Sequence, residues 1–261
     1  SRRRLDIHHA IEHDEFVLRY QPIIDREGAI VAAEALARWQ HPEYGLLPPS
    51  DFIPAIENTE LMTSFTRSLM EKILRDVKSW HYHGLYLTVA VNASSQDFRD
   101  VSFPSLISDL LTRYGLAPEY LELEITERAL VTDVGECVPR AARALRSAGV
   151  RVALDDFGTG YSSLAYIRNL RFSTIKVDRT FVQGAAAQNP ESLAIIRAVV
   201  AMADSLEMST TAEGVETEQE VAIVRRLGCR KIQGYHFGRP MPAEEASALF
   251  ERVQRARGIV A

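Results

Sequence analysis

The chain has 261 residues, 46% of them hydrophobic, and this apolar content supplies a large core and excludes disordered and fibrous classes. Its net charge of −5 argues against broad binding of DNA or RNA polymers, because that affinity comes mainly from neutralised phosphates. The two cysteines, Cys137 and Cys229, form no C-x-x-C motif, and no apolar run reaches the length of a membrane helix. We therefore expect a cytoplasmic domain without membrane contact.

The chain begins at Ser1 instead of a methionine and enters a helical pattern at once. We expect one domain over residues 1–261 that belongs to a longer protein, which could itself be membrane-anchored. About 250 residues is a usual size for a single α/β barrel, and no Pro- or Ser-rich linker divides the chain.

Two strand-like runs, at residues 16–20 and 30–33, open the series of predicted elements. The segment between them contains Pro22 and Gly28 and leaves no room for a crossover helix. Since a parallel pair needs such a crossover, the two strands are predicted to be antiparallel. From residue 30 onward, strand-like runs alternate with helical ones, which is typical of βα units that build a parallel sheet.

The helical spacing is clearest over residues 69–80, where Gly84 follows as a stop signal. Further helices are predicted at about 103–114, 138–148, 192–206, 218–227 and 243–253. The order of elements predicts an α/β fold, a TIM-like (β/α)8 barrel with one antiparallel strand.

The apolar strand-like runs end on polar side chains. In chain order these are Glu34, Asn92, Glu124, Asp155 with Asp156, Lys176, Glu213 and Gln233. The carboxyl ends of barrel strands meet at one mouth, where such enzymes keep their active sites. Because five carboxylates at one mouth would repel one another, we expect cations there. Oxygen ligands favour hard ions such as Mg²⁺ or Mn²⁺.

The adjacent acids Asp155 and Asp156 indicate two ions, because successive side chains at a strand end point in different directions. Two ions about 3.5–4 Å apart can activate a water and stabilise both oxygens of a phosphoryl displacement. Lys176 would orient the water or stabilise the developing charge. Alternatively, the acids pair with arginines at the barrel edge, or Lys176 abstracts a proton in an enolase-type reaction. The adjacent acids, with the amides of Asn92 and Gln233, favour phosphodiester hydrolysis.

Eight short motifs occur in order along nearly the whole chain. They are Gln21-Pro22-Ile23, Glu34-Ala35-Leu36-Ala37-Arg38-Trp39, Val91-Asn92-Ala93-Ser94, Glu124-Ile125-Thr126-Glu127, Asp155-Asp156-Phe157-Gly158-Thr159-Gly160-Tyr161-Ser162-Ser163-Leu164, Ile175-Lys176-Val177-Asp178, Ala212-Glu213-Gly214-Val215-Glu216-Thr217 and Gln233-Gly234-Tyr235. Together they resemble the motifs of the EAL domain family, bacterial phosphodiesterases that hydrolyse cyclic di-GMP. Two positions depart from the usual pattern: Glu60 stands where glycine is common, and Arg19 precedes Tyr20.

The resemblance implies a role for each site residue. Two Mg²⁺ or Mn²⁺ ions would be held by Glu34, Asn92, Glu124, Asp155, Asp156 and Glu213, with Asp155 bridging. The catalytic groups would be Lys176, Gln233 and Glu213, the last also a candidate base. The dinucleotide would be bound by Gln21, Leu36, Arg38, Asp178 and Glu216, with the planar fork of Arg38 on a phosphate.

The resemblance also gives the loop after Asp156 a regulatory role. Gly158, Thr159, Gly160 and Ser162 suit a mobile loop, which in this family joins the metal site to a dimer interface. Glu127 is expected to anchor the loop instead of binding metal. The expected partners are cyclic di-GMP, a second copy of the chain, and sensory or GGDEF domains elsewhere in the full-length protein.

Two functions follow from the resemblance. The first is a two-metal phosphodiesterase that opens cyclic di-GMP to linear pGpG. The alternative is a catalytically inactive EAL-like module that binds cyclic di-GMP and signals. Inactive members usually lose a ligand or the loop sequence, and this chain has lost neither, which favours the enzyme.

Overall fold

The structure, a computed structural model, describes residues 2–133, 135–158 and 164–258. Within these residues nine strands form one sheet. They are β1 (Phe16–Asp25), β2 (Ile30–His41), β3 (Gly45–Leu47), β4 (Thr88–Asn92), β5 (Leu121–Thr126), β6 (Arg151–Phe157), β7 (Thr174–Val177), β8 (Ser209–Ala212) and β9 (Lys231–Gln233).

The sheet closes into a barrel of eight strands in the described part of the chain. The strand order is β1-β9-β8-β7-β6-β5-β4-β2, β1 also pairs with β2, and β3 is an extra strand beside β2. β1 is antiparallel to both of its neighbours, whereas the other barrel strands pair in parallel. The predicted (β/α)8 barrel with one antiparallel strand is confirmed.

Helices lie between and around the strands. They are α1 (Arg2–Glu12), α2 (Pro49–Ile56), α3 (Leu61–Tyr82), α4 (Ser95–Arg99), α5 (Phe103–Tyr114), α6 (Glu127–Val131), α7 (Cys137–Ser147), α8 (Leu164–Leu170), α9 (Arg179–Ala186), α10 (Pro190–Ser205), α11 (Glu218–Leu227) and α12 (Ala243–Ala256). The six helices predicted from the sequence correspond to α3, α5, α7, α10, α11 and α12.

Local capping explains why the bounds of α11 could be predicted. Thr217 Oγ1 accepts a hydrogen bond from the backbone N–H of Glu220 at 3.2 Å, and the Glu220 carboxylate accepts one from the N–H of Thr217 at 3.1 Å. At the other end Gly228 has a φ of 102°, a left-handed conformation that favours glycine and stops the helix.

β2 is longer than the sequence pattern indicated. We expected the strand to end at Glu34, but it continues to His41. Its parallel pairing with β4 covers residues 32–35, and beyond them β2 pairs with β1 and β3. Glu34 is therefore at the barrel mouth because its neighbour β4 ends at Asn92, not because its own strand ends there.

The part of β1 and β2 beyond the mouth has a small core of its own. Phe16 and Trp39 pack with Phe52 of α2 and Phe65 of α3, and the ring centroids of Phe16 and Phe65 are 4.9 Å apart. A much larger core fills the space between the barrel and its surrounding helices. In the described part of the chain, no helix is both long enough and apolar enough to cross a membrane.

Candidate active site

The mouth of the barrel is centred on the ammonium group of Lys176. Its Nζ lies 2.6 Å from Glu124 Oε2 and 2.7 Å from Glu213 Oε1, on β5 and just after β8. Glu34 Oε2 and Asp155 Oδ1 lie farther away, at 3.7 and 3.8 Å. The structure thus brings together five side chains from five different strands at the barrel mouth, as the sequence pattern led us to expect, although Glu34 lies inside β2 and not at its end. We call this group the carboxylate cluster.

The carboxylate cluster is buried and has more negative than positive groups. The Lys176 side chain is 2% exposed and that of Glu124 is 1% exposed. Burial raises the pKa of Glu124 well above its usual value, although Lys176 opposes the shift. Burial likewise raises the pKa of Glu213 to about 8, again against Lys176. Burial alone would lower the pKa of Lys176. Its four acidic neighbours together outweigh burial and raise the pKa well above its usual value, so the amine stays a cation.

Two amides fix the orientation of Glu34. Asn92 Nδ2 donates to Glu34 Oε1 at 2.8 Å, and Gln233 Nε2 donates to Glu34 Oε2 at 2.6 Å. Gln233 Nε2 also donates to Gln21 Oε1 at 3.0 Å, which links β9 to β1. The other Gln233 side-chain atom, Oε1, is buried and accepts no hydrogen bond from the described residues.

The donor set fits hard divalent ions in its chemistry. It offers oxygens from several strands, an excess of negative charge, and in Gln233 Oε1 a buried acceptor to which no described residue donates. Among the described residues, no three acidic, histidine or cysteine side chains have the arrangement of a metal site. Lys176 Nζ lies between the carboxylates instead. The residues therefore fit the ions by type and charge, without a preformed cage.

Asp155 and Asp156 point in different directions, as predicted for successive residues at a strand end. Asp155 Oδ1 faces Lys176, whereas the side chain of Asp156 is exposed. Asp156 has a φ of 55°, and its backbone N–H donates to Asp155 Oδ1 at 2.8 Å. Partial burial, followed by the charges of Asp155 and Asp178, raises the pKa of Asp156. The pairing of β6 with β7 shifts register between Leu154 and Phe157, so the two aspartates lie at an irregularity of the strand.

A pocket of about 210 Å³ opens beside the carboxylate cluster. Glu34, Glu213 and Gln233 lie on its wall, together with three predicted substrate residues, Gln21, Leu36 and Glu216. The sequence thus located both the charged part of the site and much of the adjoining pocket.

Four pocket residues were not assigned a role from the sequence: Arg179, Gly214, Gly234 and Tyr235. Arg179 is the first residue of α9, directly after the predicted residue Asp178. Gly214 makes room for it, since a Cβ there would lie 2.4 Å from Arg179 Cβ and the φ of Gly214 is 63°. The position of Arg179 just beyond a strand end was the signal that could have identified it.

Asp178 and Arg38 lie near the pocket but are not among the residues on its wall. Asp178 caps α9, because its Oδ1 accepts a hydrogen bond from the backbone N–H of Thr180 at 2.8 Å. Arg38 Nη1 donates to the carbonyl of its neighbour Ala37 at 2.7 Å. Arg38 is half-buried and makes no ion pair with a described residue.

Glu127 contacts the start of the predicted regulatory loop. It is buried at the start of α6, and its Oε2 accepts a hydrogen bond from the backbone N–H of Gly158 at 3.3 Å. A hydrogen bond between Glu127 and the start of the loop is the contact expected of an anchoring residue. Thr159, Gly160 and Ser162 lie outside the described residues.

The chain is similar to known proteins over almost its whole length. A family model described as EAL domain matches residues 4–240. The bifunctional diguanylate cyclase/cyclic di-GMP phosphodiesterase MucR of Pseudomonas aeruginosa is 37% identical over 245 residues, 93% of this chain and 36% of that protein. The cyclic di-GMP phosphodiesterase NbdA of the same species is 39% identical over 239 residues, 91% of this chain and 30% of that protein.

A solved structure shows the same similarity in three dimensions. The structure, described as PaMucR phosphodiesterase in a c-di-GMP complex, has a TM-score of 0.89 and 36% identity, covering 94% of this chain and 100% of that one. The chain spans about a third of the length of the curated relatives it matches.

Proposed function

Because the chain belongs to the EAL domain family, we propose that it hydrolyses cyclic di-GMP to linear pGpG with the help of two divalent ions. The carboxylate cluster carries this proposal, since two of its members, Glu34 and Glu213, also line the pocket. Relatives named as cyclic di-GMP phosphodiesterases, and a related domain solved with c-di-GMP, support the choice of substrate.

The carboxylate cluster and its neighbours would hold the ions, either Mg²⁺ or Mn²⁺. The proposed ligands are Glu34, Asn92, Glu124, Asp155, Asp156 and Glu213. When bound, such ions activate the attacking water and offset the charge on the phosphate. Their arrival would also relieve the repulsion among the buried carboxylates.

Three side chains would assist the reaction, two at the reacting groups and one by positioning Glu34. Lys176 stays positively charged among the carboxylates, so it can donate a hydrogen bond to the attacking water or to a phosphate oxygen. Glu213 lies on the pocket wall, where it can accept a proton from the water. Gln233 holds the Glu34 carboxylate in place through its Nε2.

The pocket would hold the dinucleotide. Gln21, Leu36 and Glu216 line it and would contact the ligand, and Arg38 and Asp178 would contact it from the margin. We assign Arg38 to a phosphate, because its planar guanidinium matches phosphate oxygens in pairs.

We extend the proposal to regulation and to the longer protein. The contact between Glu127 and Gly158 supports a link from the site to the loop that follows, through which a second copy of the chain would bind. Sensory or GGDEF domains would precede or follow this domain, since its relatives are about three times longer. Sedimentation of wild type and of a variant lacking residues 159–163 would test the dimer, which should be lost in the variant.

The catalytic proposal is tested by incubating the protein with cyclic di-GMP and Mg²⁺ or Mn²⁺ and resolving the products by chromatography. Linear pGpG should accumulate with wild type and not with Glu34→Gln, which removes one cluster charge. Glu43→Gln, in the exposed turn between β2 and β3, is the matched control and should behave as wild type.

Tight binding of cyclic di-GMP without any product from wild type would contradict the enzyme and favour the inactive binding module. Product formation that is equal in wild type and Glu34→Gln would show that the carboxylate cluster is not the reaction centre.

A further inference from the structure

A second arginine stands beside Arg38 on the strands that extend beyond the barrel mouth. In the antiparallel pairing of β1 and β2, Gln21 lies opposite Glu34, Arg19 opposite Leu36, and Val17 opposite Arg38. Opposite residues share a face of the sheet, and so do residues two positions apart on one strand. Arg19 and Arg38 therefore lie on the face that carries Gln21 and Glu34.

That face is the one that lines the pocket. Gln21, Glu34 and Leu36 all belong to the pocket wall. Arg19 is directly across from Leu36, and two residues along a strand correspond to about 7 Å. Arg19 is thus one step farther from the carboxylate cluster than Gln21 and remains on the side that faces a ligand.

The two arginines are not paired with a carboxylate of the described residues. Both are half-buried, and neither forms an ion pair with a residue in the described ranges. Burial lowers the pKa of Arg38, and Arg19 lowers it further, while Tyr235 and Glu34 act in the opposite direction. Two neighbouring cations that are partly removed from water are unfavourable unless an anion joins them.

We propose that Arg19 and Arg38 together bind the second phosphate of a cyclic dinucleotide, the one that is not cleaved. This inference rests on the proposed function, in which the carboxylate cluster and its ions take the other phosphate. A ligand with two phosphodiesters needs a second positive site, because its uncleaved phosphate would otherwise lie above an acidic mouth. Two guanidinium groups supply that site with several N–H donors in fixed geometry.

The binding test uses calorimetry of the purified protein with cyclic di-GMP and Ca²⁺, with the ligand checked for cleavage afterwards. Arg19→Gln should raise the Kd about tenfold, the usual effect of losing a hydrogen bond to a charged group. Arg19→Lys keeps the positive charge but lacks the planar guanidinium, so its Kd should lie between those of wild type and Arg19→Gln. Arg113→Gln is the control, because Arg113 is exposed on α5 and pairs with Glu71.

A second measurement separates the two phosphates. Bis(p-nitrophenyl) phosphate has one phosphodiester, which must lie at the ions to react, so Arg19→Gln should leave its kcat/KM unchanged. With cyclic di-GMP the same variant should raise KM and alter kcat little. Because both arginines contact one phosphate, the Arg19→Gln/Arg38→Gln double variant should lose less affinity than the two single losses combined.

The outcomes separate this inference from the proposed function. If wild type hydrolyses cyclic di-GMP and Arg19→Gln binds it equally well, the role of Arg19 is wrong and the enzyme stands. The inference is also overturned if Arg19→Gln loses as much kcat/KM with bis(p-nitrophenyl) phosphate as with cyclic di-GMP. If wild type forms no product but Arg19→Gln weakens binding, the phosphate site stands and the catalytic proposal fails. No binding of cyclic di-GMP by wild type refutes both.

Discussion

Lys176 is a fully buried cation whose position depends on acidic neighbours from other strands. Its Nζ contacts Glu124 and Glu213 at normal ion-pair distances, with Glu34 and Asp155 close behind. A buried charge of this kind is stable only while its partners are present. Lys176 therefore has a structural role at the mouth in addition to its proposed role in the reaction.

Replacement of Lys176 by Gln should weaken the fold in the absence of divalent ions. Removing one partner of a buried ion pair costs about 3–5 kcal/mol, so the free energy of unfolding in EDTA should fall by that order. The loss should be smaller at pH 6 than at pH 8, because protonation of a carboxylate relieves the unpaired charge. Urea denaturation at pH 6 and pH 8 measures the free energy of unfolding, with exposed Lys78→Gln as the control. Equal stability of Lys176→Gln and wild type would contradict the prediction.

The two cysteines should differ sharply in reactivity. Cys229 is fully buried, and burial raises the pKa of its thiol to about 12, so almost no thiolate forms at pH 8. Cys137 is partly exposed at the start of α7. Iodoacetamide should modify Cys137 in the native protein and Cys229 only after unfolding, as measured by mass spectrometry of peptides. Modification of both at one rate would show that Cys229 is accessible.

The sequence predicted the residues of the carboxylate cluster because a polar side chain after an apolar run is visible without a structure. Arg19 was visible as a departure from the usual motif, but its place opposite Leu36, on the sheet face of Gln21 and Glu34, was not. That position follows from the register of β1 against β2, which depends on packing across two strands. Arg179 was missed for a related reason, since its place depends on how α9 leaves the barrel.

At the scale of elements, β1 and α3 are joined by a partly buried hydrogen bond. The Tyr20 hydroxyl donates to Asp76 Oδ2 at 2.6 Å, and the Tyr20 ring packs edge-on against Trp80, with centroids 4.8 Å apart. Burial, followed by the charge of Asp76, raises the pKa of Tyr20 well above its usual value. The folded protein therefore holds the phenolic proton more tightly than the unfolded chain does.

This pKa shift predicts a loss of stability at alkaline pH. The contribution of Tyr20 is complete below the unfolded pKa, about 10, and is lost as the pH rises towards the folded value. Tyr20→Phe has no phenolic proton to lose, so above about pH 10 its unfolding free energy should fall less steeply than that of wild type. Exposed Tyr86→Phe should keep the wild-type slope. If the unfolding free energies of wild type and Tyr20→Phe fall equally steeply with rising pH, the prediction is wrong.

The hydrogen bond between α6 and the end of β6 gives a further prediction. Glu127→Ala removes the acceptor for the Gly158 N–H, close to Asp155 and Asp156. Turnover and affinity for Mg²⁺ or Mn²⁺ should both fall, and Glu127→Gln, which keeps an acceptor oxygen, should lose less. Ion titrations followed by initial rates measure this, with exposed Glu245→Ala as the control. Unchanged turnover and ion affinity in Glu127→Ala would mean that Glu127 is not an anchor.

Elements with strong local signals were predicted well from the sequence. α5 and α11 have the predicted bounds, because a glycine ends each of them and a capping box starts α11. The extension of β2 to His41 was missed, because its stability comes from pairing with β1 and β3 and from a small aromatic core. These are contacts between distant parts of the chain, which a local pattern does not show.

At the scale of the whole molecule, divalent ions should stabilise the fold. An ion that binds the folded state adds about 2.7 kcal/mol at 100 times its Kd, which is about 5–10 °C in Tm for a domain of this size. Thermal unfolding with Mn²⁺ or Mg²⁺ against EDTA measures the shift. Glu34→Ala should show a smaller shift, and an equal shift in both proteins would place the ions elsewhere.

The hydrogen bond from Gln233 to Gln21 connects residues that are 212 positions apart in the chain. It crosses the junction of β1 with β9, the first and last strands of the described barrel. Contacts between such distant segments form late in folding, because the entropy of closing the long loop opposes them. Both glutamines are on the pocket wall, so the pocket is completed only when the ring of strands closes. We therefore expect a nascent or partly folded chain to lack this pocket, so that ligand binding would report on completed folding.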